Sequence, residues 1–264
     1  MCLMKKWFFI SVIIILLMLT GFIYFKKVAL KKLPLNHVLS AVVIPPSLPV
    51  ILKQSIVINV SGVSTRVSWA IVNPEDVELY SNLKDQHLSE QIKADRNCRI
   101  LVNGGFYSKE GSNLGLLITN SGTISPFSKS TTRNGILTTD GNHVSIGNDL
   151  TVKNPRIALQ SGPLLMQKGE PLTLKINNDE PNRRIVAGTT KDNKLIFLAF
   201  YSDESDLEGP LLGLVPEAVD LFKKQTGINI TDAINLDGGS ASVFITDYVV
   251  LRELNHVGSY FCIR

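Results

Sequence analysis

The chain has 264 residues, of which 44% are apolar, enough for one well-buried domain and too many for a disordered chain. Its formal charge of +4 comes from 27 basic and 23 acidic residues. Six lysines flank one N-terminal apolar run, so residues beyond 32 keep 21 of the 27 basic residues against all 23 acids, a net of −2 that excludes a global nucleic-acid-binding character.

Trp7 to Phe25 is a run of 19 residues broken only by Ser11, Thr20 and Gly21, about the length of a bilayer-crossing helix. No small-residue cleavage pattern follows it, so residues 1–32 read as an uncleaved signal anchor and a single-pass membrane attachment. Lys5 and Lys6 precede the run; Lys26, Lys27, Lys31 and Lys32 follow it. Counted alone, that excess keeps the following domain in the cytoplasm. Residues 33–52 read as a linker, interrupted by Pro34, Pro45, Pro46 and Pro49. Residues 53–264 are then one folded domain.

Within it, Ser55–Val60, Thr65–Val72 and Val77–Tyr80 are β-branched or alternating runs that predict strands. Asp85 to Asp95 has helical composition, with Leu88 and Ile92 four apart. Arg99–Val102 predicts a buried strand ending at Asn103-Gly104-Gly105, and Leu114 to Met166 reads as short strands separated by Asn, Gly, Ser and Asp. Ile185–Thr190 and Lys194–Tyr201 form a second predicted pair. Leu214–Gln225 predicts a helix, with Pro216 in its first turn, Val215, Val219 and Phe222 on one face, and Gly227 as its stop. A strand ending at Asp237 follows. The fold class is α+β, a sheet-rich single domain with a few helices behind one transmembrane helix.

Cys98 and Cys262 can pair in an oxidising compartment or serve unpaired as small buried residues. His37, His87, His143 and His256 are scattered, which argues against a histidine-built metal site. Asn59-Val60-Ser61 and Asn229-Ile230-Thr231 are glycosylation sequons by pattern.

Four polar or glycine-rich segments stand at predicted strand ends: Asn103-Gly104-Gly105, Ser161-Gly162-Pro163, Arg183-Arg184 with Gly188, and Asp237-Gly238-Gly239-Ser240. Each alone is a turn or a solvated pair. Together they suggest a polar pocket rimmed by backbone amides, with one arginine and one carboxylate. A serine hydrolase with Ser240 as nucleophile is a rival, but Gly238-Gly239-Ser240-Ala241-Ser242 lacks the last glycine of a G-x-S-x-G elbow, and no histidine segment supplies a base.

These segments resemble the phosphodiester glycosidase family over residues 65–250 and in the family's order. The likeness lies in Asn103-Gly104-Gly105-Phe106-Tyr107, Leu114-Gly115, Ile157 to Pro163, Arg184 with Gly188, and above all Asp232 to Ala241. The Asp237 loop is one glycine shorter than the family's frequent Asp-Gly-Gly-Gly-Ser. The resemblance implies an enzyme that cleaves a sugar, of N-acetylglucosamine type, from a phosphodiester-linked glycan or glycolipid, with no cofactor and with the metal requirement left open. It implies Asp237, Arg184 and Glu217 as the catalytic set. Glu217 matches an acidic position of the family; by position alone it can equally be a helix-capping acid. In this reading Arg184 and the Gly104-Gly105 and Gly238-Gly239 amides cradle phosphate. Asn103, Ser161, Gly162 and Ser240 line the substrate's path. Such substrates lie outside the cytoplasmic membrane, so function favours an exported domain against the lysine count. A non-catalytic glycan-binding or scaffold protein using the same pocket is the alternative.

Overall fold

The computed structural model describes residues 54–264. The expected anchor at 1–32 and the linker at 33–52 lie outside the described residues. Among those described, seventeen short strands and two α-helices, α1 (Ser89–Arg96) and α2 (Val215–Thr226), make a sheet-rich domain. No helix among them is long and apolar enough to cross a membrane.

The centre is a seven-stranded sheet in which Val63–Val72, Leu195–Ser202, Arg184–Thr190 and Ile230–Asn235 lie side by side, each antiparallel to the next. Two further antiparallel sheets, of five strands each, are built around Ile100–Asn103 and Ile157–Ser161. Successive side chains of a strand face opposite ways, and the central strands are apolar on both faces. Leu195, Phe197, Ala199, Ile185 and Ala187 join a core that includes Val102, Leu159, Phe244 and Phe261. Ile196, Leu198, Phe200 and Val186 face the other way, onto Val215, Val219 and Phe222 of α2. Burying an apolar side chain of this size stabilises the fold by about 1.5–3 kcal/mol, so this two-sided pattern holds the central strands in place.

α2 runs one residue to the C-terminal side of its predicted bounds. Pro216 sits in the first turn, and Gly227 closes the helix at φ 75° with its N–H donating to Lys223 O. α1 is shorter than predicted at its start. The Asn82 side chain bonds both the N–H and the carbonyl of His87, and Gln86 adopts φ 52°, so Asp85 to Leu88 lie in the loop before the helix. Cys98 and Cys262 are joined as a disulfide with Cα atoms 5.3 Å apart, tying the segment after α1 to the strand Ser259–Ile263.

Candidate active site

The strand Ile230–Asn235 runs beside Arg184–Thr190, with Asn235 opposite Val186, and Leu236 N–H donates to Ile185 O at 2.8 Å. Asp237 therefore emerges at the rim of the central sheet, next to Arg184. The Asn103 segment is bonded directly to it: Asp237 N–H donates to Gly104 O at 3.1 Å, and Asn103 Nδ2 donates to Asp237 O at 2.9 Å. Ser161-Gly162-Pro163 meets the same strand from its other side. Ser161 Oγ and Gly162 N–H both donate to Asn235 O, and Asn235 Nδ2 donates to Gly162 O. The four segments converge as the sequence suggests.

Their polar groups are spent largely on one another, so three of the four glycine amides expected to cradle phosphate already have protein partners. Gly104 N–H donates to Ser259 O, Gly238 N–H to the Asp237 carboxylate, and Gly239 N–H to Arg183 O. Gly104 is glycine for packing, since a Cβ there would lie 2.2 Å from Ser259 Oγ. Asn103 is wholly buried, and its carboxamide also accepts from Val243 N–H, so its side-chain groups are committed to holding the Asp237 turn. Ser161 is buried with its proton committed to Asn235. Glu217 is exposed on the first turn of α2, where it accepts from Ser61 Oγ at 3.1 Å. Asn103, Gly104, Gly105, Ser161 and Glu217 line neither of the clefts described next.

The first cleft, of about 320 Å³, is lined by Phe106, Asn182, Arg184, Leu212, Asn235, Asp237, Gly238, Gly239 and Ser240. Asp237 is its one carboxyl. Oδ1 accepts from Gly238 N–H at 2.9 Å, while no cation among the described residues pairs with the group. Burial pushes its pKa up to about 7 from 3.8, and the Gly238 bond pulls weakly the other way. The charge also raises the pKa of nearby Tyr107, after that ring's own burial.

Arg184 does enter this cleft, but not as a free cation. Its Nη2 pairs with Asp179 Oδ1 at 3.1 Å and its Nε donates to Pro210 O at 3.1 Å. Burial lowers the pKa of its guanidinium, and Asp179 and Glu180 offset only part of that. Nη1 makes no protein hydrogen bond among the described residues and stands about 4.0 Å from where a Cβ on Gly238 would sit, so it remains for a ligand. The neighbouring Arg183 is fully buried instead. Its guanidinium donates to Ser242 Oγ and O and to the carbonyls of Asp206 and Arg252, clamping the turn that carries Asp237.

Two residues without a role in the sequence reading stand out. Asn235 is 3% exposed, and its Oδ1 is a buried acceptor with no partner among the described residues while the residue lines the cleft. Its place two residues before Asp237, on the same side of the chain, is the sequence signal for it. Phe106 supplies an aromatic wall. Ser240 Oγ accepts from Asn255 Nδ2, leaving its proton to donate into the cleft.

A second cleft of about 480 Å³ adjoins the first through shared Phe106 and Leu212 and includes Gly162. Among the described residues, no three His, Cys, Asp or Glu side chains gather as a metal site would require.

The family model described as phosphodiester glycosidase matches residues 96–260. No curated protein matches the chain. The solved catalytic domain of zebrafish N-acetylglucosamine-1-phosphodiester alpha-N-acetylglucosaminidase, auto-inhibited by its pro-peptide, is similar in fold. Its TM-score is 0.60 at 19% identity, over 80% of this chain and 81% of that one. A hypothetical protein from Synechocystis is also similar, with TM-score 0.57 at 12% identity over 80% of this chain and 61% of that one.

Proposed function

The chain belongs to the phosphodiester glycosidase family, and on that premise we propose that the Asp237 cleft hydrolyses the bond between a sugar anomeric carbon and a phosphodiester. The sugar is of N-acetylglucosamine type, the class on which the zebrafish enzyme's name says it acts. The observation that carries the reading is a single, partner-poor carboxyl, raised to about 7, in a cleft that also holds one arginine edge and one unpartnered carboxamide oxygen.

One carboxyl suffices for this bond. Common glycosidases need a second, acidic carboxyl because a sugar hydroxyl leaves poorly. Here the leaving group is a phosphate monoester with a second pKa near 6, so it departs as an anion without prior protonation. Water adds to the anomeric carbon as the carbon–oxygen bond breaks, and the bond's electrons stay on the phosphate oxygen. Asp237 takes the water's proton or faces the developing positive charge on the ring. Asn235 Oδ1 and the Ser240 hydroxyl hold sugar groups, Phe106 supports a ring face, and Arg184 Nη1 reaches the phosphate. Asn103 and Arg183 act at one remove, by fixing the turn.

The domain works outside the cytoplasm, held to the membrane by residues 7–25. The Cys98–Cys262 bond supports this, because such bonds persist in oxidising compartments. A reporter fused to the C-terminus tests the orientation.

The test of the reaction is release of N-acetylglucosamine from its 1-phosphodiesters by the full chain and by Asp237→Asn. Turnover lost by about 10²–10⁴-fold in the variant is the expected result. Glycan binding with no turnover in either form overturns the enzyme in favour of a binding protein.

A further inference from the structure

We infer that the second cleft takes the other arm of the phosphodiester, that Arg133 there holds the phosphate, and that the arm is apolar rather than a sugar. The inference rests on the proposed reaction and names its substrate class. It starts from a cation that the reaction does not yet use. Arg133 lines the second cleft, and its Nε is buried with no hydrogen-bond partner among the described residues. No carboxylate lies within ion-pair distance of it, or of Lys175 in the same cleft, among the described residues. Residues 1–53 contain no Asp or Glu that could supply one. Arg184, by contrast, already has Asp179. An unpaired, partly buried guanidinium is poorly solvated, and a phosphate satisfies it in a bidentate way.

The Arg133 backbone lies against the Gly162 segment that meets the Asp237 strand. A Cβ on Gly162 would stand 2.9 Å from Arg133 Cα, and Gly162 N–H donates to Asn235 O beside Asp237. Phe106 and Leu212 are common to both clefts, so a substrate with its sugar at Asp237 runs directly into the second.

The lining selects the arm. Phe106, Leu114, Pro163, Leu174, Ile176 and Leu212 are all half-buried and form the body of the cleft, while Thr131, Thr132, Asn134 and Thr173 are exposed at its rim. A glycosyl arm brings several hydroxyls, each of which needs a partner once it leaves water. This cleft supplies few below its rim. An alkyl or aromatic alcohol on the phosphate, as in a lipid phosphate or an aryl ester, needs none and buries apolar area instead.

The experiment uses the full chain in detergent with four esters of α-N-acetylglucosamine 1-phosphate, bearing methyl, butyl, benzyl or mannos-6-yl arms. Free sugar is measured. Butyl or benzyl is expected to exceed both methyl and mannosyl in kcat/KM by about 10-fold or more, which butyl's three additional buried methylenes can supply. A butyl preference points to lipid-like arms, and a benzyl preference to aryl ones. Ile176→Ser should shrink the butyl-to-methyl ratio severalfold. Arg133→Ala should weaken inhibition by butyl phosphate by about 10-fold or more, and inhibition by free sugar less, with Arg133→Lys recovering part of the loss. Equal use of all four esters, or preference for the mannosyl arm, overturns the inference while leaving the reaction standing. If no ester is cleaved, calorimetry with methyl and butyl phosphate decides. Tighter butyl phosphate that is lost in Ile176→Ser upholds the subsite although the reaction has failed; equal binding rejects both.

Discussion

Asp237→Asn should make the protein more stable at alkaline pH while removing its activity. In the folded state the carboxyl titrates at about 7 in place of 3.8, because burial disfavours its charge. Between those values the folded state holds a proton that the unfolded chain has released. Stability therefore falls as pH rises from about 4 to about 7 and is flat above. The full change corresponds to about 4 kcal/mol. Asp237 keeps some contact with water in its cleft, so about 2–4 kcal/mol is the expected range. Asparagine is nearly isosteric, can still accept from Gly238 N–H and carries no charge to desolvate. Unfolding free energies of wild type and variant from urea titrations, measured with the disulfide intact, should nearly coincide at pH 3 and differ by that amount at pH 8.5. Comparing the two chains cancels every other titrating group. A difference below about 0.5 kcal/mol at pH 8.5 would mean that the Asp237 charge is well solvated, and the case for a perturbed base in this cleft would fail with it.

Further consequences follow for the residues around it. Wild-type kcat/KM should rise with pH through about 7 as Asp237 loses its proton, and a profile flat from pH 5 to 9 would deny it the role of base. Asn103→Ala should cost about 2–4 kcal/mol in urea unfolding, since it leaves the Asp237 carbonyl and the buried Val243 N–H without their partner, while Gly104 O keeps Asp237 N–H. Arg184→Ala should cost about 3 kcal/mol by leaving Asp179 unpaired. Adding Asp179→Asn should recover most of that stability but not the affinity for phosphodiester, so recovery of both would make Arg184 purely structural. Reducing Cys98–Cys262 should lower stability by about 2–5 kcal/mol, read as a shift in urea midpoint with and without reductant.

The parts of the fold that local chemistry decides were legible in the sequence. Ser55–Val60 has its predicted bounds, and α2 is framed by Pro216 and Gly227 as such residues frame helices. The start of α1 was not legible, because the loop at Asp85 to Leu88 depends on the Asn82 side chain bonding to His87. The same division runs through the site. Strand ends rich in glycine and polar residues announced where the chain would converge. Which groups would remain free could not be read, since their partners come from far along the chain. Gly104 N–H is taken by Ser259 O, and the Asp179 carboxylate takes Arg184 along with the N–H groups of Leu212 and Gly213. Adjacent arginines at the start of a strand point to opposite sides. In the doublet Arg183-Arg184 this puts Arg184 into the cleft, as the resemblance implied, and buries Arg183, which the doublet read as a solvated pair did not show.

The charge balance of the two clefts bears on how the reaction can run near neutral pH. Arg184 and Asp179 largely cancel, so Asp237 faces little net positive charge. A phosphodiester entering beside it adds a negative charge, which favours the protonated carboxyl and moves its pKa further upward. A base that binding its own substrate protonates would be switched off at the moment of use. A guanidinium not already matched to a carboxylate, set where the phosphate lies, offsets that charge and keeps Asp237 ionised in the complex. Arg133 has that property and Arg184 does not. On the proposed reading the two clefts then divide the labour. The first holds the sugar against a rigid turn whose amides are already bonded, so little reorganisation remains when the bond breaks. The second neutralises the leaving phosphate and receives what is attached to it.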